Sequence, residues 1–135
     1  MSPAPTEVVA RWLAAVNAGD AREALKLSAS DVRIVGPRGA AAGHAVLRAW
    51  LAHAGATFAT RATYARGSDV VVAQRGTWRG AAGGADSTAD VATRFRVDGP
   101  RVAEIERFDA LRDALAAAGL ESRDLLPADD DASAG

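Results

Sequence analysis

The sequence predicts a single α+β domain, and three observations carry that expectation. Large apolar residues recur at helical spacing through the first half, the apolar period switches to two at Thr57, and strand-like segments then follow one another across short glycine-containing turns. A chain of 135 residues suits one core. Apolar residues make up 49% of it, but many are alanines, so the larger Leu, Val, Ile and aromatic positions must carry the burial.

The first helix is expected over about Thr6 to Ala18, where Val8, Val9, Trp12, Leu13 and Val16 form one stripe. Thr6 suits its cap, Glu7 its positive end and Gly19 its exit. Asp20 stands three residues before Glu23, a capping arrangement for a short second helix that carries Leu25 and Leu27. Val32 and Ile34 then alternate with Asp31, Arg33 and Val35 in a short strand. Gly36-Pro37-Arg38-Gly39 turns the chain, and a third helix from about His44 to Ala54 aligns Leu47, Trp50, Leu51 and Ala54.

From Thr57, Phe58, Thr60, Ala62 and Tyr64 share one face of a strand and Arg61 takes the other. Further strands are expected at about Val70 to Arg79, Thr88 to Val97 and Val102 to Phe108, giving a four-strand antiparallel meander. Pairing of even residue-sum sets Phe95 beside Ala103 or Ile105, and Arg94 and Arg96 beside Glu104 and Glu106 on the outward face. A final helix begins near Asp109, uses Leu111 and Leu115, and ends at Gly119 with Leu120 folding back. Residues 1–5 are expected as a flexible N-terminus, 6–120 as the folded domain, and 121–135 as an acidic, mostly disordered tail.

Several function classes are excluded or left without support. The last fifteen residues hold five acids against one arginine, so the preceding 120, with 15 basic and 12 acidic groups, are only mildly basic. Their arginines are dispersed, which argues against a nucleic-acid partner. With no cysteine there is neither a disulfide framework nor a thiolate nucleophile, and a cytoplasmic location is expected. The start has no secretory pattern and no stretch is long enough for a membrane span. No GxGxxG or Walker pattern points to a nucleotide cofactor, and no His, Cys or carboxylate spacing points to a metal. His44 and His53 lie nine residues apart on the third helix, on opposite faces, and cannot both enter one site.

The stretches VVARWLAAVNAGDAREALKL, DVRIVGPRG, AGHAVLRAWL and ATRFRVDGPRVAEIERFDALRDALAAAGL resemble the nuclear-transport-factor-two-like superfamily, especially its SnoaL-like and ketosteroid-isomerase-like members. The resemblance spans about residues 6 to 120. It implies a cone-shaped fold, with a strongly curved, mainly antiparallel sheet wrapped around the N-terminal helices and an apolar cavity open at one end. It also implies a homodimer through the outer sheet face, where Val71, Ala73 and Phe108 alternate with inward residues.

Carried over residue by residue, the isomerase resemblance puts Gly36 where that group has its aspartate base, Trp12 at its phenolic donor and Thr93 at its protonated aspartate. Glycine cannot take a proton, so that isomerisation does not transfer. If Thr93, Phe95 and Val97 face inward as the resemblance implies, Val72, Gln74, Gly76 and Trp78 match them on one neighbouring strand, and Ile105, Arg107 and Asp109 on the other. Arg107 with Asp109 also looks like part of the Asp-Arg-Asp trio of epoxide hydrolases in the superfamily.

The expected ligand-binding residues are therefore Trp12, Gln74, Trp78, Thr93 and Arg107, with His44 and Asp109 as candidate catalytic groups; capping of the last helix is the structural role open to Asp109. The expected function is binding of a small, largely apolar or amphipathic molecule in the cavity, without cofactor or metal. An isomerase, cyclase or epoxide hydrolase with a different residue set, and a non-catalytic dimeric scaffold, stay open beside it.

Overall fold

The computed structural model describes residues 3–36, 39–54, 56–78 and 86–126. Its elements are α1 (Pro5–Asn17), α2 (Ala21–Lys26), β1 (Ser28–Gly36), β2 (Gly39–Ala42), α3 (His44–Ala54), β3 (Ala56–Arg66), β4 (Asp69–Trp78), β5 (Ser87–Asp98), β6 (Arg101–Phe108) and α4 (Leu111–Ala118), then a short 3-10 turn at Ser122–Asp124. Pro37 and Arg38 of the first turn, and the Gly83-Gly84 loop, lie outside the described residues.

α1 starts before the expected Thr6 because Pro5 occupies its first turn, where a fixed φ fits the helix and the missing N–H needs no partner. Ala4 takes the cap position without a side-chain bond. α2 is capped as expected: the Asp20 carboxylate accepts the Glu23 backbone N–H at 3.0 Å. Gly39–Ala42 is a strand rather than part of a turn, because Gly36 pairs with Gly39 and the register continues to Arg33 opposite Ala42.

The strands form one sheet in the order β2-β1-β6-β5-β4-β3. The meander β3 to β6 is antiparallel as expected, but β1 runs parallel to β6. The two edges, β2 and β3, do not pair with each other. This corrects the expected cone: the sheet is open and mixed, neither closed nor strongly curled around the N-terminal helices. A physical reason lies in the layering, since helices cover both faces and the sheet is packed between them rather than rolled around one.

On one face α1, α2 and α3 bury the main core, including Val8, Trp12, Leu47, Val72, Phe95 and Ile105. On the other, α4 brings Ala114 and Leu120 onto Val71 and Ala92, with Tyr64, Phe108, Leu111 and Leu115 around them. Val71 is thus fully buried, and Phe108 partly buried, beneath α4 within the chain. Gly119 closes α4 in the left-handed region, at φ 72°. In the segment after it, the Leu126 backbone N–H donates to the Thr63 carbonyl at 2.9 Å, and Arg66 pairs with Asp124 at 2.8 Å. Residues 127–135 of the expected tail lie outside the described residues.

Two bulges set which side chains face which core. In β3 the register shifts between Thr60 and Ala62, so the extra residue, Arg61, reverses the alternation. Phe58 stays opposite Gly76 on the α1 face, whereas Tyr64 comes opposite Val71 on the α4 face. The expectation that Phe58 and Tyr64 share a face is corrected accordingly. In the β5–β6 pair the shift between Arg96 and Val97 lets Val97 meet Val102 while Phe95 stays opposite Ile105, keeping all four in one core.

Among the described residues no helix is long and apolar enough to cross a membrane. No group of three or more His, Cys, Asp or Glu among them could hold a metal ion.

Candidate functional site

β6 carries Arg107 next to its end, directly opposite Thr93 of β5, and Thr93 in turn lies opposite Val72, next but one to Gln74 on β4. Strand alternation therefore puts Gln74, Thr93 and Arg107 on the same face. Gln74 and Thr93 are buried, and the Thr93 hydroxyl donates to Gln74 Oε1 at 2.9 Å. That leaves the amide Nε2 of Gln74 buried with no hydrogen-bond partner.

Arg107 is held by aromatic rings instead of a carboxylate. Its guanidinium carbon lies 4.7 Å from the ring centre of Phe58 and 5.1 Å from that of Trp50, within the range of a cation–π contact. Its Nε is buried without a hydrogen-bond partner, and no acidic residue among the described ones pairs with it. Burial, unopposed by any negative charge, draws its pKa below the ordinary arginine value. Trp50, Trp78 and Arg107 are only partly buried, so the group reaches the surface above the buried Gln74, Thr93 and Phe58.

Three local features position these rings. Asn17, at the end of α1, both donates to and accepts from the Phe58 backbone, at 2.9 Å and 2.8 Å, tying β3 to the helix exit. Trp78 meets Phe58 edge-to-face, with centroids 5.9 Å apart. It does so over Gly76, where an added Cβ would come within 2.6 Å of the Trp78 ring. Trp12 packs edge-to-face on Phe95 at 5.4 Å and lies 6.4 Å from Trp50. Its indole N–H is engaged, donating to Ser28 Oγ at 3.0 Å.

The two catalytic candidates are not brought to this group. His44 hydrogen-bonds through Nε2 to the Ser28 carbonyl at 3.0 Å and lines an open cleft of about 530 Å³ with Lys26, Ser28, Ala29, Ser30, Asp98 and Arg101. Arg101 and Arg107 lie at opposite ends of β6, roughly 20 Å apart along the strand. Asp109 is exposed, beyond the end of β6, and it neither pairs with Arg107 nor caps α4, whose cap position belongs to Ala110. The structure thus brings together Gln74, Thr93, Arg107 and Trp78, keeps Trp12 in the core behind Trp50, and sets His44 and Asp109 apart.

Sequence reasoning missed Phe58 and Trp50 as the rings that hold Arg107, and Asn17 as the residue that places Phe58. Helix-to-strand packing decides the first two and leaves no local signal. Asn17 does carry one, since it follows Val16, the last residue of the first apolar stripe, and stands two residues before the Gly19 exit.

Residues 9–105 match the SnoaL-like domain family. No curated protein matches the chain. Among solved structures, the chain is similar to an NTF2-like protein of unknown function from Burkholderia xenovorans, at 25% identity and TM-score 0.65, over 87% of this chain and 97% of that one. It is similar also to TerC co-crystallised with polyporic acid, at 21% identity and TM-score 0.71, over 84% and 96% of the two chains. It is similar as well to a protein from Shewanella putrefaciens described as a SnoaL-like polyketide cyclase, at 20% identity and TM-score 0.69, over 85% and 87% of the two chains.

Proposed function

The chain belongs to the SnoaL-like domain family, and from that premise we propose that it binds a small, largely apolar molecule whose polar end is held by Arg107. The observation that carries this reading is the guanidinium itself, flanked by Phe58 and Trp50 and without an acidic partner among the described residues. A charged group partly withdrawn from water, with its Nε buried and no counter-charge among the described residues, raises the free energy of the unliganded fold, and a ligand oxygen offsets that cost. Trp50, Trp78 and Phe58 supply the apolar contact, while Gln74 and Thr93 set the polar floor. TerC, similar in fold, was co-crystallised with polyporic acid, which supports a small-molecule ligand here.

Mass spectrometry of small molecules released from freshly purified protein tests the reading, with Arg107→Met compared alongside. The variant keeps an unbranched apolar stem and removes the guanidinium donors, so affinity for the released molecule falls by about 1.5–3 kcal/mol. Unchanged binding by the folded variant rules Arg107 out as the anchor. Unchanged binding with loss of turnover of that molecule replaces the binding reading with an enzymatic one.

A further inference from the structure

We infer that the ligand's polar end is a planar oxyanion, a carboxylate or a conjugated enolate or phenolate, and that the protein selects this form over a neutral isostere. The inference rests on the binding reading above and adds the charge of the group bound. It follows from counting donors and acceptors at Arg107. The guanidinium offers only N–H donors. Gln74 has one acceptor, Oε1, already bonded by the Thr93 hydroxyl, and its unpaired buried atom is the donor Nε2. The nearby indole of Trp12 is a donor spent on Ser28. Among the described residues, the unmet capacity of the site is therefore donor capacity beside a cation with no acidic partner.

A neutral alcohol or amine would bring a proton for which Gln74 Oε1, already bonded by Thr93, is not free. A protonated acid would leave the positive charge unbalanced. An oxyanion answers both deficits, and the Phe58 and Trp50 rings beside the guanidinium offer aromatic surface that a flat, conjugated body would cover. A carboxylate paired with arginine lies in the guanidinium plane, so a conjugated body attached to it stays flat beside these rings. The other basic cluster, Lys26 and Arg101 beside His44, includes the acid Asp98 and lies at the far end of β6, so it does not share this deficit.

The experiment uses two probes of equal shape and different charge, 2-naphthoate and 2-naphthamide, titrated into the full chain at neutral pH and followed by calorimetry. The expected result is at least tenfold tighter binding of 2-naphthoate, with the preference abolished in Arg107→Met and reduced but retained in Arg107→Lys, which keeps the charge and loses the fork. Gln74→Met is expected to weaken 2-naphthoate severalfold, and Arg101→Ser to leave the preference intact. Equal binding of both probes by the unmodified protein overturns the oxyanion inference and leaves the binding reading standing. A preference that survives in folded Arg107→Met, or that vanishes in Arg101→Ser, overturns it too, by placing the anion elsewhere. Failure of both probes to bind at millimolar concentration overturns the inference together with the reading beneath it.

Discussion

Thr93 and Arg107 stand directly opposite each other across the β5–β6 pair, yet the Thr93 hydroxyl turns along the sheet to Gln74 and leaves the guanidinium to its aromatic neighbours. Arg107 therefore has cation–π contacts to lose on substitution and, among the described residues, no ion pair. Arg107→Met is expected to change unfolding free energy by no more than about 1 kcal/mol in either direction, because lost cation–π attraction is offset by removing a desolvated charge. Urea titration checks this. A loss of about 3 kcal/mol or more is the signature of a broken buried pair and contradicts the assignment.

Gly76 is required by its neighbours rather than by its backbone. Ala at this position sets a Cβ 2.6 Å from one ring atom of Trp78 and 3.1 Å from Phe58. Gly76→Ala should displace Trp78 from its edge-to-face contact and cost about 1–3 kcal/mol by overpacking. A red shift of tryptophan emission together with a lower unfolding midpoint is the expected outcome. Unchanged spectra and stability would mean that Trp78 does not rest on this position.

Ser28 joins two elements through one hydroxyl, accepting from Trp12 Nε1 and donating to the Ala24 carbonyl at 2.7 Å. Ser28→Ala strands a buried indole N–H and should cost about 1–3 kcal/mol. The His44 contact should persist, because it is made to the Ser28 backbone carbonyl. Chemical denaturation measures the first effect, and the His44 ring resonances, unmoved apart from local shifts, measure the second.

Glu104 is 7% exposed on the outward face of β6, bonded to Arg33 at 2.5 Å and Arg94 at 2.9 Å. Burial alone would raise its pKa, but the two arginines outweigh that and hold it below the usual glutamate value of 4.5. A depressed folded-state pKa stabilises the fold fully above the unfolded value and loses that stabilisation as pH falls through the folded one. Glu104→Gln should thus cost about 1.5–3 kcal/mol at neutral pH and flatten the decline in stability below pH 4.5. Parallel acid-unfolding curves for the two proteins would refute this.

What the sequence made legible follows from what is local. The α3 limits, the meander and the shared face of Gln74, Thr93 and Arg107 all come from apolar period and strand parity, which neighbouring residues set among themselves. The parallel β1–β6 pair is a long-range choice invisible to any window, and with it went the openness of the sheet. Arg61 carries no glycine or proline to mark its bulge, so the change of face at Tyr64 could not be anticipated. Gly39–Ala42 has only small side chains, and pairing with β1 alone makes it a strand. Strand alternation carries Asp109 to the face of Arg107 only if it continues past Phe108, where the strand and its parity end.

The contact of Leu126 with Thr63, and the bridge between Tyr64 and Leu125, have a consequence for the chain's life in a crowded solution. β3 is an outermost strand, and an outermost strand offers its free backbone groups to any similar strand that drifts past. The six residues after Leu120 occupy part of that ladder with the chain's own backbone, and Arg66 clamps them through Asp124 and the Gly119 carbonyl. They act as a stopper against polymerisation: a chain ending at Leu120 would keep every group of the Arg107 site and still be expected to self-associate through the bared edge of β3.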